Sequence, residues 1–285
     1  MGPAEFIYTV LLKPRPLRIL ANAVLRSIIP RQVTRHGARL ALNPNVPVVS
    51  GALTLNVYER PETEFFRKVC RPGLTVLDVG ANLGYYTALA QSILNGAGRI
   101  LALEPDPENF RFLKATMSLN PHPEIVTCYP AAASDQEGRL RLHTSADNRG
   151  DNRMYANELA NGFVEVDVTT VDRLVAQAGH PVIDLVKIDV QGYEFSVVTG
   201  MRQTIAASPR MLLFSEFWPH GLSSAGASGE KYLDLLVSLG FKIYELGNLL
   251  QPVNDHRDLV SRYPGRAYTN LVAVRGTLAD WGLGS

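Results

Sequence analysis

The sequence predicts an α/β fold: a doubly wound, mainly parallel sheet of seven strands with helices on both faces, preceded by an N-terminal extension. Three observations predict it. Between about residues 71 and 217, short apolar runs alternate with helical patterns, the signature of a parallel sheet built from strand–helix–strand units. The runs are unbroken rather than period-two, as expected of strands buried on both faces. Polar residues collect where the runs end, at Asp78, Glu104, Ser134 and Asp135, Asp189 and Glu216. Ligands of open α/β sheets bind outside the carboxyl ends of the strands. One acid at a strand end is often a helix cap, but acids at five ends point to a site.

The chain divides into an extension, residues 1–70, and a main domain, residues 71–285. In the extension, residues 6–30 mix apolar side chains with Lys13, Arg15, Arg18 and Arg26. From Leu17 onward Ile19, Leu20, Ala23, Val24 and Ile28 fall near helical spacing. This predicts an amphipathic helix that packs on the core, on a second subunit, or against a membrane surface. Strand-like pieces follow at 38–42 and 53–57, with turn signals at Asn43-Pro44 and Ser50-Gly51. In the main domain, residues 74–79 read as the first strand and 82–93 as its helix. The second strand spans 99–103, and Pro107 suits the first turn of a helix over 107–119. The third strand covers 125–129. Residues 140–143 and 163–169 read as a hairpin pair across a long polar loop. Core strands follow at 183–189 and 210–214, with a helix over 192–200 between them. Helix 231–239 leads to strand 241–246, and the last strand is 270–274.

Bulk composition narrows the function. The 285 residues carry a net charge of +1, which gives no basic field for nucleic acid. The two cysteines, Cys70 and Cys128, lack paired spacing, which predicts a reducing, cytoplasmic compartment and no zinc site. No continuous apolar stretch reaches the ~18–20 residues of a bilayer span, so membrane contact would be peripheral, through the N-terminal helix. Neither paired histidines nor a fixed-spacing carboxylate set appears, so no metal is expected.

The first site follows strand 74–79 and reads Asp78-Val-Gly80-Ala-Asn82-Leu-Gly84-Tyr85. Gly80 allows a sharp turn, and Gly84 allows close approach to the helix. The middle glycine of a dinucleotide loop is replaced by Asn82, so a pyrophosphate fits poorly. An adenosylated amino acid, which has no phosphate, fits better. Glu104 lies 20 residues beyond Gly84, about where a ribose-binding acid belongs.

The runs VLDVGANLGYYTALA, ALEPDPENFRFLKATMSLN, AAASDQEG and LVKIDVQGYEFSVVTGM, in this order and spacing, closely resemble the FkbM-type methyltransferases. The resemblance covers about residues 58–216 and extends through EFWP and NLVAVRG towards the C-terminus. It implies a Rossmann-like class I domain that uses S-adenosyl-L-methionine and releases S-adenosyl-L-homocysteine. Asp78, Gly80, Asn82, Gly84 and Tyr85 would line the methionine part of the cofactor. Glu104 and Pro105 would lie at the ribose, Ser134 and Asp135 at the adenine. Tyr58 and Glu59, with Glu64 as a weaker candidate, would close over it, and Asp189 and Gln191 would stand where the methyl group is delivered. The family's fourth motif often carries glutamate where this chain has Gln191, which cannot act as a base.

Methyl transfer to a hydroxyl asks for in-line orientation and a nearby base. Asp189 is the first candidate, with Glu216 and Glu194 as alternatives. The polar loop containing Asp151, Asn152, Arg153 and Tyr155, and the Trp218–His220 segment, are candidates for acceptor contacts. The expected reaction is O-methylation of a small natural product or saccharide. N-methylation of an amide or amine, possibly on a peptide, is the alternative. A nucleotide-dependent oxidoreductase and a non-catalytic cofactor-binding scaffold are the readings from other classes.

Overall fold

The computed structural model describes residues 28–144, 152–155 and 162–283. The predicted N-terminal helix, apart from its last residues, lies outside them, as does Asp151. Two antiparallel strands come first, β1 (Gln32–Arg35) and β2 (Ala38–Ala41), then two helices, α1 (Pro47–Thr54) and α2 (Arg60–Val69). The strand expected over 53–57 is instead the end of α1 and the turn after it. Pro47 sits at the first turn of that helix, where proline is favoured, and burial of Val49, Ala52 and Leu53 in the core outweighs the weak helix propensity of the run.

The main domain contains β3 (Thr75–Val79), α3 (Tyr85–Leu94), β4 (Arg99–Leu103), α4 (Pro107–Leu119) and β5 (Val126–Tyr129). Strands β6 (Ala131–Ala133), β7 (Gly138–Thr144) and β8 (Gly162–Thr169) form a separate three-stranded sheet, in which β7 and β8 are the antiparallel pair read from the sequence. Helix α5 (Val171–Gln177) returns the chain to β9 (Leu185–Ile188). There follow α6 (Glu194–Thr199), α7 (Arg202–Ala207), β10 (Met211–Phe217), α8 (Pro219–Ser224) and α9 (Gly229–Ser238). The chain ends through β11 (Lys242–Leu246), β12 (Leu250–Pro252), α10 (His256–Arg262) and β13 (Thr269–Arg275).

The large sheet has eight strands in the order β12-β11-β13-β10-β9-β3-β4-β5. Strands β10, β9, β3, β4 and β5 are parallel; β13 runs antiparallel to both β10 and β11. The strand beyond the predicted seven is β12, a three-residue edge piece ending in proline, too short to leave a periodic signal.

Alternate residues of each central strand feed opposite faces. Val76, Leu185, Leu212 and Phe214 pack with α2, α3 and the β1–β2 segment. Leu77, Val186, Ile188 and Leu213 pack with α5, α6, α7 and α9. Residues 28–70 therefore share one core with the first face: Leu40, Phe65 and Phe66 lie in the same cluster as Leu74 and Val76. The chain order reverses between β3 and β9, and this switch point opens a crevice.

Candidate active site

A cavity of about 540 Å³ opens at the carboxyl ends of β3, β4, β9 and β10. The turn after β3 forms its floor. Gly80, Asn82 and Gly84 all have left-handed φ, of 82°, 53° and 87°. These values delay the start of α3 to Tyr85, three residues after the predicted start. A side chain at position 80 would put its Cβ 2.0 Å from the Asp189 carbonyl oxygen, so only glycine lets the β3 and β9 turns touch. At Gly84 the close approach is to Leu113 of α4, so this glycine serves helix packing rather than a ligand.

Glu104 dominates one half of the cavity. It is 5% exposed, accepts the Asn82 N–H on one oxygen at 2.8 Å and the Asp106 N–H on the other at 2.9 Å. Burial pushes its carboxyl up to about 7 against those bonds. Asp106 in turn caps α4 through the N–H groups of Glu108 and Asn109. Pro105, Ala131, Ala132, Ala133, Leu142 and Met154 give this half an apolar wall.

The other half gathers acids around one cation. Lys187 of β9 is 5% exposed and donates to Asp189 Oδ2 at 3.2 Å. Its ammonium also lies over the Tyr86 ring, 4.7 Å from the centroid. The Gln191 side-chain amide donates to Asp189 Oδ1 at 2.9 Å and to Glu216 Oε2 at 2.8 Å. Burial alone would raise the Asp189 carboxyl, but Lys187 and the Gln191 amide outweigh it and hold it below the ordinary aspartate range. Glu216 goes the other way: burial, then the Asp189 charge, push it well above the usual carboxylate range. Helix α2 closes this half. Glu59, at its N-terminus, accepts from the Tyr86 hydroxyl at 2.8 Å, and burial pushes it up to about 7. Glu62, raised by burial, accepts from the Asn270 amide of β13 at 2.8 Å.

Several predicted site residues lie elsewhere. Asp78 faces the sheet interior at 1% exposure and accepts from Thr87 at 2.5 Å; it supports the loop and does not line the cavity. Ser134 is buried against Asp135 and the Tyr193 hydroxyl, and Asp135 is exposed, so neither lines the cavity. The cause is the short β6, which turns the chain into the small sheet before Ser134. Glu194 accepts from the Val190 and Gly192 N–H groups at 3.2 Å and braces the turn after β9. Glu64, on α2, is absent from the lining. His220 is exposed and its ring lies against Trp218, 5.7 Å between centroids, outside the cavity lining. Tyr58, Tyr85, Asn152, Arg153 and Trp218 do line the cavity. Arg153 stacks over Trp218 at 4.6 Å, and the Tyr155 hydroxyl donates to the Gln191 carbonyl at 3.1 Å from outside the lining. Lys187, Glu62 and Asn270 join the lining without being among the sequence candidates above. A lysine inside the apolar run of a central strand is a readable signal; Glu62 and Asn270 have none.

A family model described as the Methyltransferase FkbM domain matches residues 78–243, more than half of the chain. The chain belongs to the FkbM methyltransferase family. Its relatives include 2-O-methyltransferase NoeI of Sinorhizobium fredii, 26% identical over 183 residues, covering 59% of this chain and 73% of NoeI. Hexuronic acid methyltransferase AglP of Haloferax volcanii is 26% identical over 128 residues, 45% of this chain and 50% of AglP. Among solved structures, the FkbM methyltransferase of Methylobacillus flagellatus aligns at 18% identity with a TM-score of 0.46, over 90% of this chain and 59% of that one. Among the described residues, no cluster of histidine, cysteine or acidic side chains could hold a metal ion, and no helix is long and apolar enough to cross a membrane.

Proposed function

We propose that this FkbM methyltransferase uses S-adenosyl-L-methionine to methylate a hydroxyl of a saccharide or small natural product. The observation that carries the cofactor reading is Glu104. Its oxygens are fixed by two backbone N–H groups and the Asn109 side chain, and a carboxylate has about four acceptor sites, so capacity remains for a ribose hydroxyl. The apolar wall beside it suits an adenine ring. The acidic half suits a ligand with a positively charged sulfur and amino group, and nothing in the Gly80–Gly84 turn favours a diphosphate. The cofactor, when bound, supplies an electrophilic methyl group on a sulfonium.

The chain's own residues then have three tasks. Glu104 and the Gly80–Gly84 turn orient the ligand. Asp189, ionised, accepts the hydrogen bond of the incoming hydroxyl and sets its direction, since orientation alone can contribute several kcal/mol. Glu216, linked to Asp189 by Gln191, already holds its own proton, so Asp189 is the base that takes the hydroxyl proton as the new bond to the methyl carbon forms. Asn152, Arg153 and Trp218 line the route by which an acceptor would enter. The names of NoeI and AglP support a saccharide-type hydroxyl acceptor.

The test is incubation with isotope-labelled S-adenosylmethionine and a panel of saccharides, uronic acids, amines and peptides, read by mass spectrometry. A labelled methyl on oxygen is expected. Label on nitrogen would move the acceptor class, and no transfer to any acceptor, together with NAD binding, would overturn the reading.

A further inference from the structure

The first sheet face carries a row of polar residues where its strands end. In β9, Leu185 and Lys187 share one face, and Asp189 follows two residues later. Beside them the register puts Asp78 opposite Lys187 on β3, and Phe214 opposite Lys187 on β10. Every residue of β9 is buried, so Lys187 carries a full charge into the centre of the sheet. Such a cation persists only where opposite charge surrounds it. Among the described residues, its ammonium hydrogen-bonds Asp189.

We propose that Lys187 is a positioning residue that decides which of the two carboxyls bridged by Gln191 carries the negative charge, fixing it on Asp189 rather than Glu216. The Gln191 amide is symmetric in this respect: it donates one hydrogen to each carboxyl and cannot choose between them. Lys187 breaks the tie because, of the two carboxyls, it is Asp189 that it pairs with, at 3.2 Å. The acids around the pair act on both members, since Glu59 and Glu194 disfavour charge on Glu216 as well as on Asp189, and the one cation pairing with Asp189 among the described residues is Lys187. Glu59 and Glu62 on α2, Glu194 on α6 and Asp78 on β3 are acids that disfavour charge on Asp189 or lie behind Lys187. Tyr58 and Tyr86 are phenols that burial keeps protonated, and Tyr268, more than half exposed, is a phenol raised above its ordinary range. With charge held on Asp189, the same carboxylate always meets the acceptor, and Glu216 stays the proton holder. The two sites titrate as a pair, so removing the bias must move both. The catalytic meaning of this choice rests on the function proposed above; the charge assignment itself does not.

The test is a carbon-13 NMR titration of the protein labelled at its Asp and Glu carboxyls. Asp189 and Glu216 are identified by the signals lost in Asp189→Asn and Glu216→Gln. In Lys187→Met the Asp189 midpoint should rise by about one pH unit or more and the Glu216 midpoint should fall; Lys187→Arg should return both towards wild type. Unchanged midpoints in a Lys187→Met protein with intact near-UV circular dichroism would overturn the proposal. If that variant does not fold, the reciprocal measurement applies: nitrogen-15 NMR of Lys187 should show its ammonium losing its proton at lower pH in Asp189→Asn than in wild type. An unmoved Lys187 would overturn the proposal equally. Neither measurement uses methyl donor or acceptor, so failure of the methylation assay and failure of this inference are distinguishable.

Discussion

The two halves of the cavity are built in different ways. The half around Glu104 is local: the turn of residues 80–84 and the strand end at residue 104 hold each other through backbone N–H groups. The half around Lys187 is assembled from α2, β9, β10 and β13, and its members are side chains holding side chains. A backbone cradle keeps its shape whatever ligand enters. A side-chain network of several acids and one buried cation can redistribute its protons. Under the function proposed, the first construction would hold the adenosine part of the cofactor, and the second its charged sulfonium end together with the incoming hydroxyl.

Gly80 is the seam between the halves, and substituting it should have the largest effect. Gly80→Ala sets a Cβ against the Asp189 carbonyl at a left-handed φ, so we expect a loss of about 4 kcal/mol in chemical denaturation. Both halves should fail together, with S-adenosylhomocysteine binding lost as well. Retained stability would mean the two turns are not locked.

Glu194 sharpens the contrast on the side-chain half, where it braces the turn that carries Gln191. Its folded value of about 7 lies above the ordinary 4.5. A raised carboxyl stabilises the fold in full below its unfolded value, and that contribution is lost as pH rises through the folded one. Stability should therefore fall between about pH 4.5 and 7, and Glu194→Gln should remove its share, on the order of 3 kcal/mol at most. Thermal unfolding across this window reads the slope; an identical slope in the variant would count against a buried Glu194 proton.

Glu104→Gln tests the backbone half alone. Hydrogen bonds to a charged group contribute ~1.5–3 kcal/mol, so S-adenosylhomocysteine affinity by calorimetry should fall roughly tenfold to a hundredfold. Because burial holds Glu104 near 7, wild-type affinity should also rise as pH passes from below to above that value, and the variant should lose this rise. An unchanged affinity would remove Glu104 from the ribose.

The alternation of strands and helices is legible along the chain, with Arg99–Leu103 and Pro107–Leu119 readable to the residue, because apolar periodicity and proline placement are local properties. The Gly80–Gly84 turn and Glu104 are legible too, because that half is built from neighbours in sequence. That Asp78, Ser134 and Asp135 stay outside the cavity depends on the folded sheet, since the facing of a side chain depends on which strand lies beside it and where the sheet ends. The tertiary structure alone joined Glu62 to Asn270, 208 residues apart, and surrounded Lys187 with acids. Pairings across such separations are set by sheet order and core packing, and no local pattern in the chain records them.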